Sequence, residues 1–357
     1  MSTVTLLIQG VRIQIACDVD DFVDYIGLHL PAHGDASGGE PNISVRVRWL
    51  EGDTFTPQAL AFPEERELDE VGKRLFAGSD ILVWTNVLRI KDLSLRIRRH
   101  EDRLLIDAHY LYAPKPARLE AQPDYRSRKF FELVRWFVFY PVAWYLQHFR
   151  GLYLMHASGL DIGGRGLVIA GVGGVGKTTT AVALLGRGRT RLISENLIFH
   201  DGARIYSCYE PIRLDDASVD LVSAVRDVLL PAEIPGAANP KNMYHVGRHA
   251  VSEVAPARVL ILPRFARAGY VRPLSVDACL ELLVAFNQLT LEVNDFYWFA
   301  AALDLLWPTS GSLARRVAVL RELLERMDRY EIGIDRSRGV APVVDSILER
   351  MGSAGGG

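Results

Sequence analysis

The sequence is poor in the features that mark secreted or nucleic-acid-binding proteins. It has three cysteines in 357 residues, Cys17, Cys208 and Cys279, and no CxxC pair. Cysteines so far apart do not suggest a disulfide framework or a zinc site, and they predict a reducing, cytoplasmic location. The formal net charge of −2 gives no basic surplus, so we expect no nucleic-acid partner.

A long uninterrupted apolar run is also missing. The most apolar stretch, 130–149, contains Glu132 and Arg135, whereas a membrane-spanning helix needs about 20 predominantly apolar residues. We interpret this stretch as a buried helix that is broken or kinked near Pro141, and we expect no membrane association. Residues 1–10 have no basic leader before their apolar positions, which predicts a strand and not a signal peptide.

The composition that is present is typical of a globular protein of two domains. Hydrophobic residues make up 49% and charged residues 24%, which is enough apolar material for a core. The chain is longer than an average single domain. The first part alternates apolar and polar residues with period two, which predicts antiparallel hairpins. The alternating segments are 11–15, 43–49, 93–99 and 104–110.

The second part has the texture of an α/β domain. Short apolar strands at 152–156 and 166–170 are followed by a glycine-rich turn, a helix and another strand at 192–194. Residues 257–263 predict a central strand, and Ser312 predicts the start of a helix that runs to 329. Its expected apolar face consists of Leu313, Val317, Leu320, Leu324 and Met327.

These patterns predict the following domain organisation. A strand-rich α+β N-terminal domain covers 1–125, and an aromatic helical connector covers 126–150. An α/β domain covers 151–350, and a glycine-rich flexible tail covers 351–357.

Residues 171–178, Gly-Val-Gly-Gly-Val-Gly-Lys-Thr, match the P-loop pattern GxxxxGK[ST] at every fixed position. Glycines allow backbone N–H groups to turn towards an anion, and the helix that follows adds its positive dipole end. Lys177 can reach the β and γ phosphates, and the Thr178 hydroxyl can ligate Mg²⁺. The residues expected to bind the nucleotide are Gly171, Gly173, Gly174, Val175, Gly176, Lys177, Thr178 and Thr179.

The flanks of this loop resemble the catalytic domain of HPr kinase/phosphorylase and its relatives. The resemblance covers 153–201: a strand ending in Met155-His156-Ala-Ser-Gly, the P-loop, a helix ending in Arg-Gly, and Leu192-Ile-Ser-Glu195-Asn196. It implies a C-terminal kinase domain of HPr-kinase type that uses ATP and Mg²⁺. It also implies that His156 lies near the γ-phosphate, that Glu195 is the general base, and that Asn196 takes the place of a second acidic residue.

The pair Glu195-Asn196 departs from the two aspartates that the family usually has. Glutamate can still take a proton or hold Mg²⁺, whereas asparagine can offer a metal only its carbonyl oxygen. Three readings stay open: a retuned kinase, a kinase whose base lies elsewhere, or a nucleotide-binding protein without transfer activity. Metal ligation is assigned to Thr178, Glu195 and Asn196.

Other charged residues are weaker candidates. Arg264 follows the predicted central strand and could stabilise transition-state charge. Lys241 could close over the phosphates from a loop, or be an ordinary solvated charge. Glu210 and Arg213 could hold metal and phosphate, or form a surface ion pair. In the first domain, Arg96 and Arg98 could recognise an acidic peptide, or belong to a solvated sheet face.

Together these features predict phosphoryl transfer from ATP to a hydroxyl, most simply a serine of a peptide or protein. The alternatives are a nucleotide-binding regulator or scaffold and a small-molecule kinase. GTP is not excluded, because no base-reading motif such as NKxD is present. The resembling enzymes form symmetric oligomers, so a homo-oligomer is a further expectation that the residues leave open.

Overall fold

The computed structural model describes residues 1–35, 38–52, 57–87, 90–215, 218, 225, 227–234, 241–308 and 312–353. The chain divides into two compact units. The first comprises Met1–Phe149, Ile234–Gly236 and Trp298–Thr309, and the second comprises Arg150–Glu233, Ala237–Tyr297 and Ser310–Gly357. The stretch predicted as a separate connector therefore lies in the first unit up to Phe149.

The first unit contains a mixed eight-stranded sheet. Its strands are β1 (Ser2–Ile8), β2 (Val11–Cys17), β3 (Ile43–Glu51), β4 (Asp69–Gly72), β5 (Leu75–Ala77), β6 (Ile81–Trp84), β7 (Leu93–His100) and β8 (Arg103–Tyr112). Their order is β1-β2-β3-β8-β7-β6-β5-β4. The prediction of hairpins alone was wrong at the centre, where β3 is parallel to both β2 and β8. Period-two alternation indicates a half-buried strand, but it does not indicate whether the neighbouring strands run parallel or antiparallel to it.

The helices of this unit carry its aromatic core. They are α1 (Asp20–His29), α2 (Pro116–Ala121), α3 (Tyr125–Val134) and α4 (Tyr140–Arg150). A π-helical turn over Arg135–Phe139 joins α3 to α4, and the Tyr140 N–H bonds the Arg135 carbonyl. The break or kink expected near Pro141 is therefore a π-helical turn, and the helix continues through the proline. The wider turn relieves the clash that a proline ring causes with the preceding turn.

Most aromatic residues of the stretch 130–149 are buried, as predicted, whereas Phe131 and Phe149 are half-buried. The ring of Phe22 on α1 packs 5.2 Å from that of Phe130 on α3, measured between centroids. Within the described ranges, none of the helices combines the length and the apolar composition that crossing a membrane requires.

The second unit is a mixed sheet between two helical layers. Its strands are β9 (Tyr153–Ile162), β10 (Arg165–Ala170), β11 (Thr190–Ser194), β12 (Leu197–His200), β13 (Arg204–Ser207), β14 (Ile212–Leu214), β15 (Leu229–Pro231), β16 (Asn242–Val246), β17 (Val254–Phe265), β18 (Tyr270–Pro273) and β19 (Asp328–Ile334). The main sheet runs β10-β9-β12-β13-β17-β19-β18, and β11 also pairs with β9. Because β10 pairs in parallel with β17, the strands from β10 round to β17 form a closed circuit. A small sheet, β14-β16-β15, stands apart.

The helices of the second unit are α5 (Lys177–Leu185), α6 (Val276–Leu289), α8 (Ser312–Glu325) and α9 (Ala341–Ser353). A further helix, α7 (Leu291–Leu306), belongs to the second unit up to Tyr297 and to the first unit from Trp298. Residues of β10 alternate between two cores. Leu167 and Ile169 face α5 and α9, whereas Val168 and Ala170 pack with α6 and α8. The α/β class predicted from the sequence is therefore confirmed in its coarse form, as mixed helices and large sheets.

Two boundaries near the C-terminus differ from the predictions. Helix α8 ends at Glu325 and not at 329, because the Arg329 side chain bonds the carbonyls of Leu324 and Met327 and Asp328 begins β19. Leu313, which was predicted to lie on the apolar face of this helix, is 70% exposed. The predicted tail is shorter than expected, since α9 extends to Ser353 and buries Met351. Residues 354–357 lie outside the described ranges.

Candidate active site

The glycine-rich loop lies between β10 and α5, as the sequence predicted. Gly174 and Gly176 have φ angles of 78° and 92°, in the region where glycine is favoured. Gly171 has a different reason to be glycine: a Cβ there would lie 3.1 Å from Val175 and 3.7 Å from the Pro263 carbonyl of β17. The loop is therefore shaped by its own backbone and by the end of a neighbouring strand.

Lys177 begins α5 and is buried. Its Nζ donates to the Gly171 carbonyl at 2.9 Å and to the Val172 carbonyl at 3.1 Å. Burial lowers the pKa of this ammonium, while the negative charges of Glu195 and Glu292 oppose that shift. The lysine side chain thus curls back over the loop that it follows.

Glu195 occupies a bend in an otherwise continuous strand pairing. Both β11 and β12 pair with β9, with Ser194 opposite Gly159 and Leu197 opposite His156. The bend is held by the Ser158 hydroxyl, which donates to the Glu195 carbonyl at 2.8 Å. The chain therefore leaves the ladder for two residues, Glu195 and Asn196, beside the first turn of α5.

The carboxylate of Glu195 accepts a hydrogen bond from the Thr178 hydroxyl. The side chain is buried, and this burial raises its pKa. The Thr178 hydrogen bond and the positive charges of Lys177, Lys241 and Arg213 act in the opposite direction. A buried carboxylate with hydroxyl and cationic neighbours can bind a cation or take up a proton.

The neighbouring residue, Asn196, is tied to a second buried carboxylate. Its Nδ2 donates to Glu210 Oε1 at 2.7 Å, and Glu210 is only 4% exposed. Glu210 is therefore not at the surface, as one interpretation of the sequence had placed it. An aspartate at 196 would place a third carboxylate beside Glu195 and Glu210, whereas an asparagine supplies a donor and adds no charge. This contact explains why an asparagine, and not an aspartate, follows Glu195.

His156 lies on β9, opposite Leu197, close to the same bend. Its backbone N–H donates to Asn287 Oδ1 at 3.2 Å, and both residues are buried. Asn287 and Glu292 were missed by sequence reasoning. The only available signal was a polar side chain in an apolar helical stretch, which also fits a helix surface.

Three further cationic residues were candidates from the sequence: Arg264, Lys241 and Arg96. Arg264 is exposed near the end of β17, one residue after Pro263, whose carbonyl borders Gly171. Lys241 is near enough to Glu195 to lower its pKa, whereas residues 239 and 240 lie outside the described ranges. In the first unit, Arg96 bonds Asp107 at 2.9 Å and also pairs with Glu64, so its charge is already engaged.

Thr178, Glu195 and Asn196 offer a hydroxyl, a carboxylate and an amide, all of which carry oxygen ligands suited to Mg²⁺. In the described ranges no group of three or more His, Cys, Asp or Glu side chains could hold a metal ion. A site with so few protein carboxylates fits Mg²⁺, which is usually bound by one or two carboxylates together with water and substrate phosphates.

Comparison with protein-family models finds no match for this chain, and neither does comparison with curated proteins. Among solved structures, the HPr(Ser) kinase/phosphatase from Coxiella burnetii is matched with 17% sequence identity and a TM-score of 0.19. The match covers 34% of this chain and 76% of that one. Similarity at this level assigns no family, so the functional argument depends on the site itself.

Proposed function

We propose that this protein transfers the γ-phosphoryl group of ATP to a hydroxyl, with a serine of a peptide or protein as the acceptor. The observation that supports this most is the hydrogen bond between Thr178 and Glu195. It joins the first turn of the helix after the glycine-rich loop to a buried carboxylate in the bend between β11 and β12. In P-loop enzymes a loop hydroxyl and such a carboxylate together hold the magnesium ion of the nucleotide.

In this proposal the loop from Gly171 to Gly176 receives the phosphates through its N–H groups and the α5 dipole. Lys177 exchanges its bonds to the Gly171 and Val172 carbonyls for phosphate oxygens. Neutral carbonyls bind an ammonium less strongly than ionised oxygens, so the exchange is favourable. Arg264 and Lys241 supply further positive charge at the edge of the loop.

Thr178, Glu195 and the Asn196 carbonyl would hold Mg²⁺, which supplies charge neutralisation at the β and γ phosphates. The acceptor hydroxyl must also lose a proton. Glu195 suits this role only while it does not ligate Mg²⁺, because burial raises its pKa and a bound cation lowers it again. Glu210 is a second candidate base, since the Asn196 bond fixes its carboxylate beside the same bend.

The proposal is tested by label transfer from ATP with a radioactive γ-phosphate, with Mg²⁺ and a lysate of the source organism. Wild type should label an acceptor, and Lys177→Ala should not. Glu195→Gln and Glu210→Gln distinguish which carboxylate is the metal ligand and which is the general base. Loss of the metal ligand raises the Mg²⁺ concentration needed for half-maximal rate, whereas loss of the base lowers kcat at saturating Mg²⁺. Lys115→Ala, an exposed change in the first unit, is the matched control.

A nucleotide-binding regulator without transfer activity is the second candidate function. It is favoured by Asn196, which cannot act as a base. ATP binding that depends on Lys177, with no label in any acceptor, would support this alternative and contradict the kinase. Label that appears only in a small molecule would instead indicate a small-molecule kinase.

A further inference from the structure

The first unit contains a cavity of about 500 Å³ that the phosphate chemistry above does not use. One wall is the turn between β4 and β5, including Lys73 and Arg74. A second wall is the end of β6 with the segment that follows, including Trp84 and Asn86. The third wall belongs to α7. Volumes of this size are typical of pockets that bind a small ligand or a few side chains.

The α7 wall is a single helical face with a depression in it. Trp298, Ala301, Ala302 and Leu305 follow one another at the spacing that brings residues to the same side of a helix. Trp298 and Leu305 are large and more than half exposed, at 54% and 57%. The two alanines between them leave the space open. Large apolar side chains at such exposure commonly mark a binding surface.

The rim of the cavity is cationic. Lys73, Arg74 and Lys91 are all exposed, and no carboxylate occurs among the described residues that line the cavity. Trp84, Val87 and Leu75 provide apolar lining beneath them. An apolar floor with a positive rim is complementary to an apolar group that carries negative charge.

Two residues of the rim hold unusual backbone conformations. Arg74 and Asn86 have φ angles of 59° and 51°, which non-glycine residues adopt rarely. The Asn86 amide, oriented to satisfy its neighbours, donates to the Lys91 carbonyl at 2.9 Å and accepts from the Arg74 guanidinium. These contacts fix the two walls to each other.

We propose that this cavity is a docking site for an acidic peptide segment of the acceptor, with a bulky apolar side chain in the cavity and flanking carboxylates on Lys73, Arg74 and Lys91. A peptide is favoured over a free small molecule because Gly72 of the lining belongs to β4, the last strand of the sheet. An extended chain can add to such an edge while one of its side chains enters an adjacent pocket. The inference rests on the proposed function only in naming the peptide as the acceptor.

The test is binding of the full-length protein to an array of eight-residue peptides, without nucleotide. The central residue is Phe, Leu or Ala, and the flanking residues are Glu, Ser or Lys. We expect peptides with Phe or Leu between glutamates to bind most tightly. Ala301→Trp, which fills the cavity from an exposed position, should reduce their binding at least about tenfold. Lys73→Glu combined with Lys91→Glu should abolish the preference for glutamate, and Lys115→Glu should change neither.

Three outcomes would overturn the proposal: no peptide bound, binding indifferent to the flanking charge, or binding unchanged in Ala301→Trp. Thermal unfolding of each variant identifies any that fails to fold, and the charge variant then decides alone. The aromatic anion anilinonaphthalene sulfonate is a further probe. If it binds in the cavity while peptides do not, the site takes a small molecule. Because Lys177→Ala should bind the same peptides as wild type, failure of docking and failure of the kinase are distinguishable.

Discussion

The bond between Thr178 and Glu195 gives the sharpest prediction about the site. Thr178→Val keeps the shape of the side chain and removes the hydroxyl that donates to a buried carboxylate. A buried acceptor that loses its partner costs about 1–3 kcal/mol, and more when it is charged. We expect a loss of about 2 kcal/mol, which lowers the Tm of a unit of this size by about 4–8 °C.

The assay is a double-mutant cycle by thermal unfolding at neutral pH, with Thr178→Val, Glu195→Gln and the combined variant. Once Glu195 is neutral, removal of the hydroxyl should cost less stability. The loss of stability in the combined variant should therefore be smaller than the sum of the two single losses by about 1–2 kcal/mol. Thr178→Ser retains the donor and should unfold near the wild-type temperature. Single effects that add to within about 0.5 kcal/mol would mean that the two side chains do not interact, and the reasoning about the metal site would fail.

Three further predictions concern pH and the glycines. Burial raises the pKa of Glu195 above its ordinary 4.5. Wild type should therefore lose stability relative to Glu195→Gln as the pH rises above that value, because the folded protein binds the proton more tightly than the unfolded chain. Unfolding measured between about pH 4 and pH 8 tests this. Burial lowers the pKa of His200 from 6.5 to about 4, so as the pH falls through that window the unfolded chain is protonated first. Wild type should then lose up to about 3 kcal/mol relative to His200→Phe, measured by urea unfolding. Gly166→Ala should destabilise the fold by about 1–3 kcal/mol, because its Cβ would lie 2.7 Å from the Pro256 carbonyl; Gly173→Ala meets nothing within 4 Å and should weaken ATP binding with little change in Tm.

Each of these has an outcome that would contradict it. Parallel stability curves for wild type and Glu195→Gln would mean that the carboxylate is solvated in the folded protein. An acid transition that is unchanged in His200→Phe would mean that folding does not lower the pKa of His200. Equal losses of stability for the two glycine variants would mean that Gly173 has a role in packing.

The local elements of the second unit were predictable because their signals are contiguous. The strand before Gly171, the turn and the helix from Lys177 follow from the GxxxxGK[ST] spacing and the apolar runs on either side. The burial of 259–263 within β17 follows from its uninterrupted apolar residues. Such signals need no knowledge of distant neighbours.

What the sequence could not predict depends on contacts between distant segments. The Asn196–Glu210 bond joins the bend between β11 and β12 to the segment between β13 and β14, and without it the Glu-Asn pair looks only like a departure from a motif. The parallel pairing of β3 with β2 and β8 is equally invisible, because alternation is the same in both directions. The cavity beside α7 needs the turn at Arg74 and the helix at Trp298, which are far apart in the chain.

The central claim is that the loop after β10 binds the phosphates of ATP together with Mg²⁺. Isothermal titration calorimetry of ATP, with and without Mg²⁺, tests it directly on wild type, Lys177→Ala and the control Lys115→Ala. We expect saturable binding to wild type and the control that is tighter with Mg²⁺, and a loss of at least about tenfold in Lys177→Ala. Affinity that is the same in Lys177→Ala as in wild type, or no binding of ATP to wild type, would contradict the account.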